Sequence, residues 1–151
     1  GKVEAAARFV VAILARILVG ALSGVVASLV MYALLFPLAR GAPLPPEQFA
    51  LAIFKTDSVA WRRFLGLEVQ LLFGLFYGAV FGVAGATGFV PGESFAFLGI
   101  LVGLAAFLVS FTGFRILGLA AGAVDWRAWA GHFLNHVVFG VTLGVLFLWA
   151  T

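Results

Sequence analysis

The chain contains no cysteine, so disulfides, thiolate metal sites and thiol nucleophiles are excluded together. A metal would have to take histidine or carboxylate ligands, and the sequence has two histidines and six acids to supply them. Charge is scarce as well: 10% of the 151 residues are Asp, Glu, Lys or Arg against 64% hydrophobic, with a mean hydropathy of +1.20. Too few polar residues remain to cover a water-soluble globule of this size. Enzyme signatures are also missing. Ser23, Ser28, Ser94 and Ser110 lack the Gly-x-Ser-x-Gly context of a nucleophile elbow, and no Gly-x-x-x-x-Gly-Lys phosphate loop occurs. No catalytic residue and no cofactor is expected. The net charge of +3, from nine basic and six acidic residues, fits the basic bias of membrane loops better than a nucleic-acid surface, so no nucleic-acid partner is expected.

What the sequence has instead is long apolar runs. A helix needs about 20 apolar residues to cross a bilayer, and four runs of that kind occur, at about 9–38, 61–86, 94–117 and 126–149. They predict an all-α fold, an integral membrane four-helix bundle forming a single domain over 1–151. The first run begins with basic residues but has no small-residue cleavage site and continues to Phe36, so it reads as a retained span rather than a signal peptide. Arg16 is placed to snorkel to the headgroups, and Pro37 helps to stop the helix. Residues 39–60 form the one long connection. Within it Pro45 and Pro46 suit a helix start, and Glu47 then falls in the first turn, where the macrodipole favours an acid. A short helix over about 46–55, with Phe49, Leu51, Ile53 and Phe54 apolar, is too short to span and is expected to lie in the interface. Asp57 or Ser58 can cap the second span and Asp125 the fourth. Trp61, Arg62 and Arg63 mark the entry of the second span, and Trp126 and Trp149 flank the fourth.

Small residues recur every four positions in each span. The first has Gly20, Gly24 and Ser28; the second Gly66, Gln70, Gly74, Gly78 and Gly82; the third Gly99 and Gly103; the fourth His132, His136, Gly140 and Gly144. This spacing places each set on one helix face, and small residues there let backbones approach closely in lipid. The stripes predict tight helix packing, within one bundle or between copies.

Polar residues of three spans converge on one leaflet. Counted at the helical rise, Glu68 and Gln70 lie roughly 8–13 Å from the entry of the second span and His132 and His136 roughly 9–15 Å from that of the fourth, with Arg115 near the exit of the third. Ionisable groups at that depth need partners or water. The expected pairs are Glu68 with Arg115, and Gln70 with His132 or His136 across the glycine stripes of the second and fourth spans. Asn135, about 100° round the helix from His136, is left to another neighbour. Four uses of the cluster stay open: interhelical hydrogen bonding, a proton or small-solute path, a metal site, and haem ligation. The metal site would take His132, His136 and a third ligand from Glu68 or Asp125. Two histidines four apart cannot clamp one haem from opposite faces.

Basic residues near the span ends set the orientation. Arg40, Lys55, Arg62, Arg63, Arg115 and Arg127 lie on one side, and Lys2, Arg8 and Arg16 on the other. The chain is expected to be multi-pass with both termini outside.

Gly131-His132, Phe139-Gly140 and Leu143-Gly144, together with the stretch from Gly66 to Gly74, resemble a diffuse family of small four-span bacterial and archaeal membrane proteins of unknown function. The resemblance implies a four-span fold in a prokaryotic cell membrane and no particular activity. That family carries Gly-Trp-x-x-His-x-x-x-Gly in the second span, where this chain has Leu67 and Gln70, so a metal or proton role resting on that histidine does not carry over. The sequence therefore points first to a non-enzymatic scaffold or accessory subunit, whose partners are the lipid bilayer and other membrane subunits or further copies of itself. A small transporter or proton relay using Glu68, Arg115, His132 and His136 is the alternative, and a metal-binding membrane protein the third reading.

Overall fold

The computed structural model describes residues 1–38, 42–88, 91–119 and 126–151. Arg40 and the proposed cap Asp125 lie outside the described residues. The apolar runs form four long helices, each long and apolar enough to cross a membrane: α1 Lys2–Leu38, α3 Val59–Ala86, α4 Phe95–Ile116 and α5 Trp126–Ala150, with the short helix α2 Pro45–Phe54 between the first two. Among the described residues there is no strand.

Local chemistry sets several of the boundaries. Pro45 and Pro46 open α2, where a missing N–H leaves no helical bond unmade. The Ser58 hydroxyl accepts the Trp61 N–H at 3.3 Å and caps α3. At the end of α4, Gly118 adopts φ +69°, and the N–H groups of Gly118 and Leu119 close back on the carbonyls of Arg115 and Phe114. This left-handed terminus satisfies the last carbonyls and suits glycine.

The glycine stripes decide which helices pair. A Cβ on Gly20 would overlap the Gly78 carbonyl and lie 2.7 Å from the Gly82 Cα, and one on Gly24 would lie 2.7 Å from the Gly78 Cα. Lower in the same seam Gly74 faces Ser28. Helices α1 and α3 therefore run backbone to backbone. In the second seam Gly99 meets Gly140 and Gly144, while a Cβ on Gly103 would lie 3.3 Å from the Gly140 Cα, so α4 and α5 form an equivalent pair. The expected stripe-to-stripe seam between the second and fourth spans is thus replaced by seams between the first and second and between the third and fourth. The reason is steric: a glycine face reaches its closest approach only against another small face, and α1 and α4 each bring one to their sequence neighbour.

The two pairs join through α1 and α5. The Asn135 side chain of α5 donates to the Met31 carbonyl of α1 at 3.3 Å, the separate neighbour that its position on the helix requires. Between the pairs sits an aromatic core in which Phe81, Phe95 and Phe147 meet edge to face, with centroids 5.0–6.0 Å apart. Phe81, Phe139, Leu143 and Phe147 are fully buried there. Such ring pairs contribute about 0.5–1.5 kcal/mol each beyond the area they bury. Helices α3 and α4 meet at this end, where Gly85 lies under Phe147 and Phe95, and make little contact elsewhere.

Helix α1 is longer than its partner: 37 residues against the 28 of α3, or about 55 Å against about 42 Å. Its overshoot begins at Arg16, whose guanidinium donates to the Gly85 carbonyl at 2.8 Å in the last turn of α3. A cation there both fills an orphan carbonyl and complements the macrodipole. We expect Arg16→Gln to lower stability by about 1 kcal/mol. Denaturant titration in detergent checks this, and a midpoint equal to wild type would remove the cap from the account.

Candidate functional site

The four sequence-selected polar positions on α3 and α5 and the one on α4 do not share one site. Glu68 is exposed, and so is Arg115; among the described residues they form no ion pair with each other. The geometry of α3 explains Glu68. Gln70 faces α1, and a residue two positions earlier lies about 200° away round the helix, on the outer face. Arg115 follows the buried Phe114 by one residue and turns outward by about 100°. Gln70 is buried, but its side chain donates to the Ser28 carbonyl of α1 at 3.2 Å rather than to either histidine. The expected Glu68–Arg115 and Gln70–His pairs are both corrected on these grounds.

The histidines do come together, with ring centroids 4.5 Å apart. His136 is almost fully buried. Its Nδ1 lies 2.9 Å from the His132 carbonyl one turn earlier, and because a carbonyl only accepts, Nδ1 carries the proton. Nε2 is then an acceptor, facing the Ser110 hydroxyl of α4 at 3.4 Å. His132 differs: both of its ring nitrogens are buried and neither has a hydrogen-bond partner. In either neutral tautomer that ring offers one donor and one acceptor unused. An orphaned polar pair in an apolar interior calls for an explanation, because the cost of leaving such groups unpaired is about 1–3 kcal/mol.

The His132 ring is packed among Phe107, Phe114, Trp129 and His136, which close off its nitrogens, and it also borders a cavity of about 190 Å³. Met31 and Leu35 of α1 and the two histidines of α5 form its floor. Val69, Gln70, Phe73 and Tyr77 of α3 form one wall, and Val109, Ser110 and Phe114 of α4 the other. Pro45, Pro46 and Phe49 of α2 close one end. Among the described residues the lining contains no Asp, Glu, Lys or Arg. The cavity therefore presents imidazole, hydroxyl and amide groups set into an otherwise aromatic and aliphatic wall, the usual make-up of a small-molecule site. Aromatic edges surround the imidazoles closely: Phe107 lies 5.7 Å from His132 and Phe73 lies 5.7 Å from His136. Among the described residues no group of three or more His, Cys, Asp or Glu side chains stands close enough to hold a metal ion. His132 is the one imidazole with free nitrogens.

Sequence reasoning missed the closure. Phe49 of α2 packs on Phe114 at 5.9 Å and faces Gly113 of α4, while Glu47 of the same helix tucks under Gly66 of α3. Glu47 is 2% exposed; its carboxylate accepts the Leu44 N–H at 2.9 Å and faces Arg62 Nε at 3.5 Å. Helix α2 thus bridges α3 and α4 where those helices have separated. The signals for this were Gly66 and Gly113, small residues whose partners lie on α2 rather than on another long helix.

Comparison with protein-family models, with curated proteins and with solved structures finds no match to the chain. The chemistry of the cavity is accordingly argued from its own residues.

Proposed function

We propose that the chain is a multi-pass integral membrane protein, non-enzymatic, that holds a small molecule in a cavity within the leaflet nearest α2. The observation that carries this reading is a cavity of about 190 Å³ whose aromatic and aliphatic lining also contains Ser110, Gln70 and the two histidines. Four helices of crossing length and composition support the membrane setting, and α2, with Phe49 inward and Ile53 and Phe54 outward, suits a place at the interface. The basic residues near α2, with Arg115 at the end of α4 and Arg127 at the start of α5, support placing that end in the cytoplasm and both termini outside. Binding is favoured over conduction because the opposite half of the bundle is filled by Phe81, Phe95, Phe139, Leu143 and Phe147, which leave no room for a through path.

The test is extraction of the detergent-purified protein with organic solvent and mass spectrometry of what it releases. Wild type should release one molecule enriched over bulk lipid. Ser110→Phe, which replaces the hydroxyl with ring volume, should retain less than about a tenth as much, a loss of the hydrogen bond and of the space together. No enriched molecule from wild type would overturn the reading.

A second reading is favoured by a separate observation. Residues 2–15 of α1 extend past the end of α3 and are exposed apart from the half-buried Ile13, with Phe9, Val11 and Leu14 all more than half exposed. An apolar helix segment that is exposed among the described residues suits an accessory subunit that packs on another membrane subunit or on a second copy.

A further inference from the structure

We infer that the occupant of the cavity is a neutral amphiphile, an apolar body with a single hydroxyl head, and that it enters sideways from the lipid phase between α3 and α4. The inference rests on the binding reading above and adds the ligand class and the route. Three observations carry it. First, charge: among the described residues the lining contains no Asp, Glu, Lys or Arg, and Glu47, next to the lining residue Pro46, is engaged by Leu44 N–H and Arg62. An ion, a phosphate or a carboxylate would lose its hydration with nothing to replace it. Second, head-group chemistry: Ser110, whose proton points to His136 Nε2, keeps oxygen lone pairs to spare. A hydroxyl can donate to that oxygen, whereas a carbonyl or a pure hydrocarbon would leave it unused. Third, access: the floor is sealed by the α1–α5 contact, the core end by the packed phenylalanines and the far end by α2. Among the described residues the remaining side is the cleft between α3 and α4, which diverge after meeting at Phe81 and Phe95. Val109, a lining residue, is 61% exposed and stands at that mouth, and Phe76, 61% exposed, flanks the Val69 wall of α3. In a bilayer this mouth faces acyl chains.

The size agrees. A cavity of about 150 Å³ accommodates one benzene ring, so 190 Å³ takes a ring-sized head or the first carbons of a chain. A longer tail would lie in the cleft and continue into lipid.

The experiment uses the full chain reconstituted in phosphatidylcholine vesicles and three photoactivatable diazirine probes: a long-chain alcohol, the corresponding long-chain carboxylic acid, and a short water-soluble alcohol. Labelled sites are mapped by peptide mass spectrometry. The long-chain alcohol should label 69–77 and 109–114, and the acid should label them at least about tenfold less, because burial without a partner penalises its charge. Val109→Trp, a change at an exposed position that leaves the core untouched, should cut the long-chain labelling by about fivefold or more by narrowing the mouth. Equal labelling by acid and alcohol would overturn the ligand class, and unchanged labelling in Val109→Trp would overturn the route. Labelling by the short alcohol alone would overturn lateral entry while leaving a binding cavity in place. No labelling at the cavity by any probe would overturn the binding reading with it.

Discussion

Gly78→Leu should abolish the folded monomer, and Gly78→Ala should already weaken it measurably. A Cβ at position 78 would overlap the Gly20 carbonyl and lie 2.8 Å from the Gly24 Cα, both backbone atoms of α1. Neither can swing aside as a side chain can, so the whole α1–α3 seam would have to open. Overpacking of a rigid site costs about 1–3 kcal/mol for a single methyl and more for a branched chain. The seam also positions function-related groups, since opening it draws Ser28 away from Gln70, whose bond to the Ser28 carbonyl fixes one cavity wall. Thermal unfolding in mild detergent, read by circular dichroism and gel filtration, measures the effect. Gly131→Ala is the matched control, a helical glycine whose added Cβ would meet nothing within 4 Å. Gly78→Ala should melt several degrees below Gly131→Ala, and Gly78→Leu should elute as aggregate. If both alanine variants melt together, the close approach of α1 and α3 is not what holds the pair.

The contrast between those two glycines bears on how much of the structure was legible. Four apolar runs, the proline-opened short helix and the caps are local signals, and they are sufficient for an all-α bundle of four long helices. Pairing was not local. Every span carries small residues at four-residue spacing, so spacing alone could not say that Gly78 meets Gly20 while Gly140 meets Gly99. The polar cluster failed for a different reason. Depth along the helix brought Glu68, Gln70 and Arg115 to one level, but azimuth separates them, and two residues of helix turn Glu68 about 200° from Gln70. The histidine pair was visible because its spacing of four keeps both rings on one face. Its cavity was not, because a void is a property of what fails to fill the space between helices. The unsatisfied nitrogens of His132 leave no trace in sequence either, because they depend on which rings pack round them. Arg62 shows the same limit: beside Trp61 it reads as a headgroup anchor, and only the fold of α2 over Gly66 brings Glu47 to it.

Glu47→Ala should release α2 without unfolding the bundle. Three interactions converge on that carboxylate and its stem: the Leu44 N–H at 2.9 Å, Arg62 Nε at 3.5 Å, and packing against the bare face of Gly66. Removing it leaves a buried N–H unsatisfied and Arg62 Nε, itself buried, without its counter-charge. Breaking a buried pair by deleting one partner costs about 3–5 kcal/mol; the Arg62 side chain keeps 21% exposure, which screens the loss and brings the expectation to about 2–3 kcal/mol. The two glycine seams contain no α2 residue, so the loss falls on the local equilibrium that docks α2 across α3 and α4. Hydrogen exchange reads it directly. Amides of 45–54 should exchange about 30- to 150-fold faster in Glu47→Ala, the equivalent of that free energy, while 70–82 keep wild-type protection. Adding Arg62→Leu to Glu47→Ala should recover part of the protection, because the orphaned charge is then gone. Exchange at 45–54 equal to wild type in the single variant would mean that Glu47 does not hold the helix. With α2 released, Phe49 leaves Phe114 and the cavity opens at its far end, so a molecule held in it should dissociate faster from this variant even though Ser110 remains.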